Sequence, residues 1–198
     1  MPDVGDDRPT PTHALGGEHD GRVAEHDDAD RRRRPGRLVF LFGTSSVGKT
    51  STAEALQELL DEPYVLLGLD TFFGSWPDRW ADGGESERDG FWYERGGDGT
   101  LTIGCGEHGE TLLAGIRAAV HAMVAGGTDV IYDEMPVHAG VLPAWRRDMA
   151  DLDVVWVRLT GDPTEIDERE AARWKPRYRG LARGHAPLVD DQDWADLT

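Results

Sequence analysis

Residues 43–50 read Gly-Thr-Ser-Ser-Val-Gly-Lys-Thr, the complete spacing G-x-x-x-x-G-K-[ST]. Every residue type in that pattern has a task toward a phosphate. Glycines let the backbone wrap so that its N–H groups point at phosphate oxygens, and the positive end of a following helix adds to the field. The nucleotide-binding set is therefore Gly43, Thr44, Ser45, Ser46, Val47, Gly48, Lys49 and Thr50. Lys49 would reach the outer phosphates, and Thr50 would place its hydroxyl on Mg²⁺. Lysine occurs elsewhere only at Lys175, the other positive charges being arginine. A compact, flexible ammonium suits a phosphate at this one place.

Further groups could complete a phosphoryl-transfer site. Asp70 closes "VLLGLD". It could accept the proton of a hydroxyl attacking the γ-phosphate, or it could cap the turn through Thr71 and Phe72; the residue types leave both roles open. Asp133 and Glu134 follow the apolar "DVIY". An acidic residue there could hold Mg²⁺, Asp133 being the candidate, or could be an exposed strand end. "EREAARWKPRYRG" supplies Arg169, Arg173, Lys175, Arg177 and Arg179, cations able to surround a phosphoryl group in transfer. The alternative is a set of i, i+4 pairs with Glu165, Glu168 and Glu170 on a solvated helix, the preferred reading for Arg169. His108, His121, His138 and His185 have no ligand spacing with Cys105 or with one another, so no structural metal is expected.

The elements that must position these groups follow from periodicity. In "RLVFLF" (37–42) the five residues after Arg37 are apolar without interruption, as a strand buried on both faces would be. "TSTAEALQELL" puts Ala53, Leu56, Leu59 and Leu60 along one helical stripe, and "PYVLLGLD" (63–70) reads as a second buried strand. Leu112, Leu113, Ile116, Ala119, Val120 and Met123 recur at helical intervals until Gly126-Gly127. "TDVIYDE" (128–134) and "LDVVWVRL" (152–159) supply two more buried strands, with a helix around 141–150 between them. "GDPTEIDEREAARW" then opens a helix with Asp162 as N-cap, Pro163 at its first position and Glu165 completing a capping box.

This order predicts a three-layer α/β/α fold with a mainly parallel sheet. Ligands bind beyond the carboxyl ends of such strands, so the Gly43–Thr50 loop, Asp70 and Asp133 should converge. Residues 74–109 fit the scheme poorly. They carry Trp76, Trp80, Phe91, Trp92 and Tyr93 among many Gly and Asp, and form either an insertion lining an acceptor pocket or rings capping the core.

Composition narrows the partners. The 198 residues suit one domain, and a net charge of −17 argues against nucleic acid, which is bound by clustered Lys and Arg. A small molecule is the expected partner. Cys105 is alone, so no internal disulfide can form, and no stretch is long and apolar enough to span a bilayer; a cytoplasmic protein is expected. Residues 1–36, rich in Asp, His, Gly and Pro and ending in "RRRRPG", show no periodicity and read as a disordered extension before a domain over 37–198.

"LFGTSSVGKTSTAEALQELLDEPYVLLGLDTF" resembles the opening of the chloramphenicol phosphotransferase family. The similarity continues through "DGTLTIG", "VHAMVAGGTDVIYDE", "DLDVVWVRL" and "EREAAR…RGLA". The resemblance implies an ATP- and Mg²⁺-dependent O-phosphotransferase of the P-loop kinase type, modifying a hydroxyl of a small antibiotic-like molecule and so conferring resistance. By position, Asp70 takes the family's catalytic-base place and Arg173 and Arg177 those of its lid arginines. Two departures accompany the match. "RWKPR" holds one more residue between its arginines than the family pattern, and relatives continue past "DWADLT" into a last strand and helix, so a bare sheet edge is expected. A kinase for a nucleoside or another small metabolite, and a nucleotide-binding relative without transferase activity, are the alternative readings.

Overall fold

The apolar runs fold as strands in a computed structural model that describes residues 34–172, 176–190 and 192–198. The strands are β1 (Arg37–Phe42), β2 (Val65–Gly68), β3 (Phe91–Arg95), β4 (Leu101–Cys105), β5 (Val130–Glu134) and β6 (Asp153–Arg158). The helices are α1 (Lys49–Leu59), α2 (Leu69–Phe73), α3 (Glu107–Ala125), α4 (Val141–Asp148), α5 (Pro163–Ala172) and α6 (Leu181–Val189).

One sheet runs in the order β2-β5-β1-β6, with every neighbouring pair parallel. Side chains alternate across it. From β1, Leu38, Phe40 and Phe42 enter a core with Ile116, Val120 and Val124 of α3 and with Trp145 of α4. Leu41 faces the other way, onto Ala53 of α1, with Tyr64 and Ile131. Two buried faces explain why this strand is apolar from Leu38 to Phe42; β2 and β6, expected to be buried as well, are only partly so, with Val65 and Val155 exposed. The three-layer fold is thus as the sequence predicts.

Several local features differ from expectation. Leu56 and Leu60 join Ala53, but Leu59 is exposed. Six residues on from Ala53 it has turned about 240° at roughly 100° per residue, off the buried stripe. Asp162 does cap α5, its Oδ1 accepting the amides of Thr164 at 2.8 Å and Glu165 at 3.2 Å. Glu165 does not complete a capping box; it pairs with Arg169 at 3.0 Å.

Residues 74–109 are ordered as two short 3-10 turns and an antiparallel hairpin, β3 against β4. Their rings do cap the core. Phe91 is buried, 4.6 Å from Phe73 and 5.7 Å from Trp76 between ring centres, and Tyr93 packs on the same cluster. The expected bare edge beside β6 is partly covered. Leu197 forms a parallel bridge with Val157, its carbonyl accepting the Arg158 amide at 2.9 Å, and Trp194 stacks on Phe42 at 5.1 Å. No described helix is long and apolar enough to cross a membrane. The extension expected over 1–36 lies largely outside the described residues, but Gly36 is packed, its amide donating to the Val124 carbonyl at 2.7 Å.

Candidate active site

β1 delivers the chain into the Gly43–Thr50 loop at the carboxyl edge of the sheet, and α1 leaves it. Gly43 has no room for a side chain: a Cβ there would stand 2.7 Å from the Leu159 carbonyl oxygen and 2.9 Å from Val47. Gly48 adopts φ 108°, a left-handed conformation that lets the loop turn into α1. Ser46 also has positive φ, at 60°.

The amides of Ser45, Ser46, Val47 and Gly48 make no backbone hydrogen bond among the described residues, and no side chain caps α1. The Ser46 hydroxyl is buried without a partner. Buried donors without acceptors are costly, and their collection at a helix N-terminus fits a polyphosphate that would satisfy them together.

Lys49 and Thr50, adjacent on α1, both reach Asp133 at the end of β5. The Lys49 ammonium donates to the Thr44 carbonyl at 2.8 Å and lies 3.8 Å from Asp133 Oδ1. The Thr50 hydroxyl donates to Asp133 Oδ2 at 2.6 Å. A hydroxyl and a carboxylate held together beside a lysine form the hard oxygen set that suits Mg²⁺.

Glu134, next along β5, differs from its neighbour. It is 1% exposed, accepts the Trp145 indole N–H at 2.8 Å through Oε2, and leaves Oε1 without a partner. Burial, the dominant cause, pushes its pKa up to about 8, with the Asp133 charge adding and Trp145 and Lys49 opposing. Glu134 is therefore mainly neutral at pH 7, and Asp133 is the side chain that meets Lys49 and Thr50. The alternative of an exposed acidic strand end is wrong for both residues.

Asp70 stands two residues beyond Gly68, which pairs with Asp133 across β2 and β5. It is the second residue of α2, whose N-cap is Gly68 with no side-chain cap bond, so the capping role is not the one it fills. Its carboxylate is exposed and makes no hydrogen bond or ion pair among the described residues. Its charge is felt at the hydroxyls of Tyr93 and Tyr132, both pushed above the ordinary tyrosine range mainly by burial.

The segment expected to form a lid is tied to the hairpin by polar contacts, while Ala182 packs with Ile166 against Val47 of the phosphate loop. Arg95 of β3 donates to the carbonyls of Arg177 at 2.9 Å and Arg179 at 3.0 Å, and the Tyr93 and Tyr178 rings lie 5.0 Å apart. Glu170, buried in α5, accepts the amides of Gly180 at 2.6 Å and Ala182 at 2.9 Å. The Arg177 guanidinium lies over the Tyr178 ring at 4.7 Å. Arg173 and Lys175 fall outside the described residues. His185 of α6 is fully buried, its Nδ1 bonded to the Leu181 carbonyl at 2.9 Å, and burial lowers its pKa, so the ring is neutral.

Sequence reasoning misread or passed over three groups. Glu170, expected on a solvated helix face, is buried on the Gly180 and Ala182 amides instead, and Arg95 carries no motif. Cys105, Glu110 and His138, for which no ligand spacing exists in sequence, are brought together with their donor atoms within 4.8 Å of one another. The thiol is pushed up to about 12 by burial and by the Glu110 charge. A surface hollow of about 440 Å³ lies elsewhere, lined by Asp78, Asp82 and Glu85 on the outer turn of the insertion. Three carboxylates make it a poor place for phosphate.

Comparison with known proteins agrees with this geometry. Residues 36–198 match the profile of a family described as chloramphenicol phosphotransferase-like protein. Solved structures with the same fold include a sugar kinase from Janibacter sp. HTCC2649, with TM-score 0.55 and 16% identity over 83% of this chain and 84% of that one. Shikimate kinase from Acinetobacter baumannii, in complex with shikimate, gives TM-score 0.51 and 16% identity over 86% and 85%. No functionally curated protein matches the chain in sequence.

Proposed function

The chain belongs to the chloramphenicol phosphotransferase-like family, and we propose that this P-loop phosphotransferase transfers the γ-phosphate of ATP to a hydroxyl of a small molecule, chloramphenicol being the first acceptor to test. The observation that carries the reading is the Thr50–Asp133 bond of 2.6 Å with Lys49 alongside, at the mouth of a loop of unsatisfied amides. Bound Mg²⁺ would supply charge neutralisation of the outer phosphates, held by Thr50 and Asp133. The amides of residues 44–48 and the Lys49 ammonium would fix the phosphate chain, and their donors are already in place before the nucleotide arrives.

Asp70 is the base in this reading. It takes the acceptor's hydroxyl proton as the new O–P bond forms and the bond from phosphorus to the bridging oxygen of ADP breaks. An exposed carboxylate with no competing partner among the described residues, at the end of the strand beside Asp133, suits that role. Arg177, and Arg173 by sequence, would reach the phosphoryl group when the lid closes, and the hairpin that carries Tyr93 lines the acceptor's side. Cytoplasmic location and a part in antibiotic resistance accompany the proposal.

Incubation with Mg-ATP and a panel of hydroxylated antibiotics, nucleosides and sugars, read by mass spectrometry, tests it. A phosphoryl mass increment on chloramphenicol and not on nucleosides is expected. An increment confined to another class moves the acceptor, and ATP binding without any product refutes transferase activity.

A further inference from the structure

Cys105 ends β4, Glu110 lies in the first turn of α3, and His138 sits in the loop that follows β5. Two consecutive elements and a loop about thirty residues on thus direct a thiol, a carboxylate and an imidazole at one point. We propose that these three residues form a zinc-binding site, distinct from the Mg²⁺ site proposed at Thr50 and Asp133.

The donor spacing fits. Zinc ligands at about 2.0–2.3 Å in a tetrahedron stand roughly 3.3–3.8 Å from one another. Here the range runs from 2.8 Å, between His138 Nε2 and Glu110 Oε1, to no more than 4.8 Å. Adjustments of about an ångström in side chains bring all three to ligand distance. Glu110 and His138 are part exposed, which gives a cation an entry path and leaves a fourth position for water.

The sulfur is closely packed. A Cβ on Gly109 would stand 2.7 Å from both Cys105 Sγ and the Gly90 carbonyl oxygen and 3.1 Å from the Phe91 ring, so glycine at that position lets the start of α3 approach the thiol and the Gly90 backbone together. His138 Nε2 is shielded from solvent, and although close to Glu110 it is not aligned for a hydrogen bond. A short approach of two polar atoms without an aligned bond is what a shared third partner would resolve. Sulfur and imidazole donors select zinc, whereas the all-oxygen pair at Thr50 and Asp133 selects Mg²⁺.

Metal entry has one structural cost. The Gly140 amide now donates to His138 Nδ1 at 3.0 Å, which leaves the neutral ring's proton on Nε2. A ligating Nε2 needs the proton on Nδ1, so the exposed Ala139-Gly140 turn must rotate its amide away. Loading therefore removes the thiol proton, switches the histidine tautomer and fastens the hairpin to the loop after β5. The inference is independent of the nucleotide reading, because no phosphate-loop residue takes part.

Co²⁺ and Zn²⁺ alone are the probes, added to the chelator-treated full chain. Wild type should take up one Zn²⁺ that Cys105→Ser does not, and its Co²⁺ form should show a thiolate-to-metal charge-transfer absorption absent in Cys105→Ser. Glu110→Gln, a change at an exposed helix position that leaves folding intact, should weaken binding at least about tenfold. Nitrogen NMR should report His138 passing from the Nε2–H to the Nδ1–H tautomer on loading. Equal uptake by wild type and Cys105→Ser, or uptake without the thiolate absorption, overturns the proposal.

Discussion

Glu134→Gln should gain stability on the wild type as pH rises from about 5 to 8. The carboxyl is 1% exposed, and its pKa moves from 4.5 to about 8 on folding, chiefly through burial. Between those values the unfolded chain ionises while the folded one keeps its proton. Folding then takes up a proton, and stability falls as pH rises across the window. A gap of about 3.5 pH units at ~1.36 kcal/mol each sets a ceiling of about 5 kcal/mol, fully lost once pH passes 8. Glutamine cannot ionise and can still accept the Trp145 indole N–H that Oε2 accepts now at 2.8 Å. Its extra N–H₂ group adds a penalty that does not vary with pH, so the slope rather than the offset is diagnostic. Urea denaturation from pH 5 to 9 should show the variant gaining about 3–5 kcal/mol on wild type between pH 5 and 8, then no more. A constant difference across that range would mean that Glu134 is ionised in the folded protein, and the division of labour between it and Asp133 would fail.

Two further changes probe the parts around the nucleotide site. Asp133→Asn keeps an acceptor for the Thr50 hydroxyl but removes the charge, and should raise the Mg²⁺ concentration needed for ATP binding at least about tenfold in calorimetric titrations. Glu170→Gln weakens two charge-assisted bonds to the amides of Gly180 and Ala182; it should destabilise the fold by about 1–3 kcal/mol and quicken hydrogen exchange over residues 177–182 ahead of the rest.

The sequence was informative where chemistry or burial imposes a fixed spacing. The phosphate loop needs its glycines at 43 and 48, and α3 shows its buried face at 113, 116, 120 and 124 because one side of a helix meets the sheet. The β3–β4 hairpin was less legible. Its inward residues Phe91, Leu101 and Ile103 alternate as strand residues should, with Gly96, Gly97 and Gly99 between the runs, but the surrounding Gly and Asp obscured a pattern only five residues long. The burial of Glu134 could not be read at all. Alternation puts Asp133 and Glu134 on opposite faces of β5, yet which face is closed depends on Trp145, which arrives from a different helix. The Cys105, Glu110 and His138 cluster is of the same kind, since only the folded sheet sets the end of a hairpin beside the loop after β5.

The central claim is that Asp70 acts on the acceptor while the Gly43–Thr50 loop holds the nucleotide. Single-turnover phosphoryl transfer by Asp70→Asn, with ATP affinity measured on the same protein, tests it most directly. The account predicts a rate lower by about 10²- to 10⁴-fold with nucleotide binding unchanged. Transfer at the wild-type rate would contradict it and leave Asp70 without a part in the reaction.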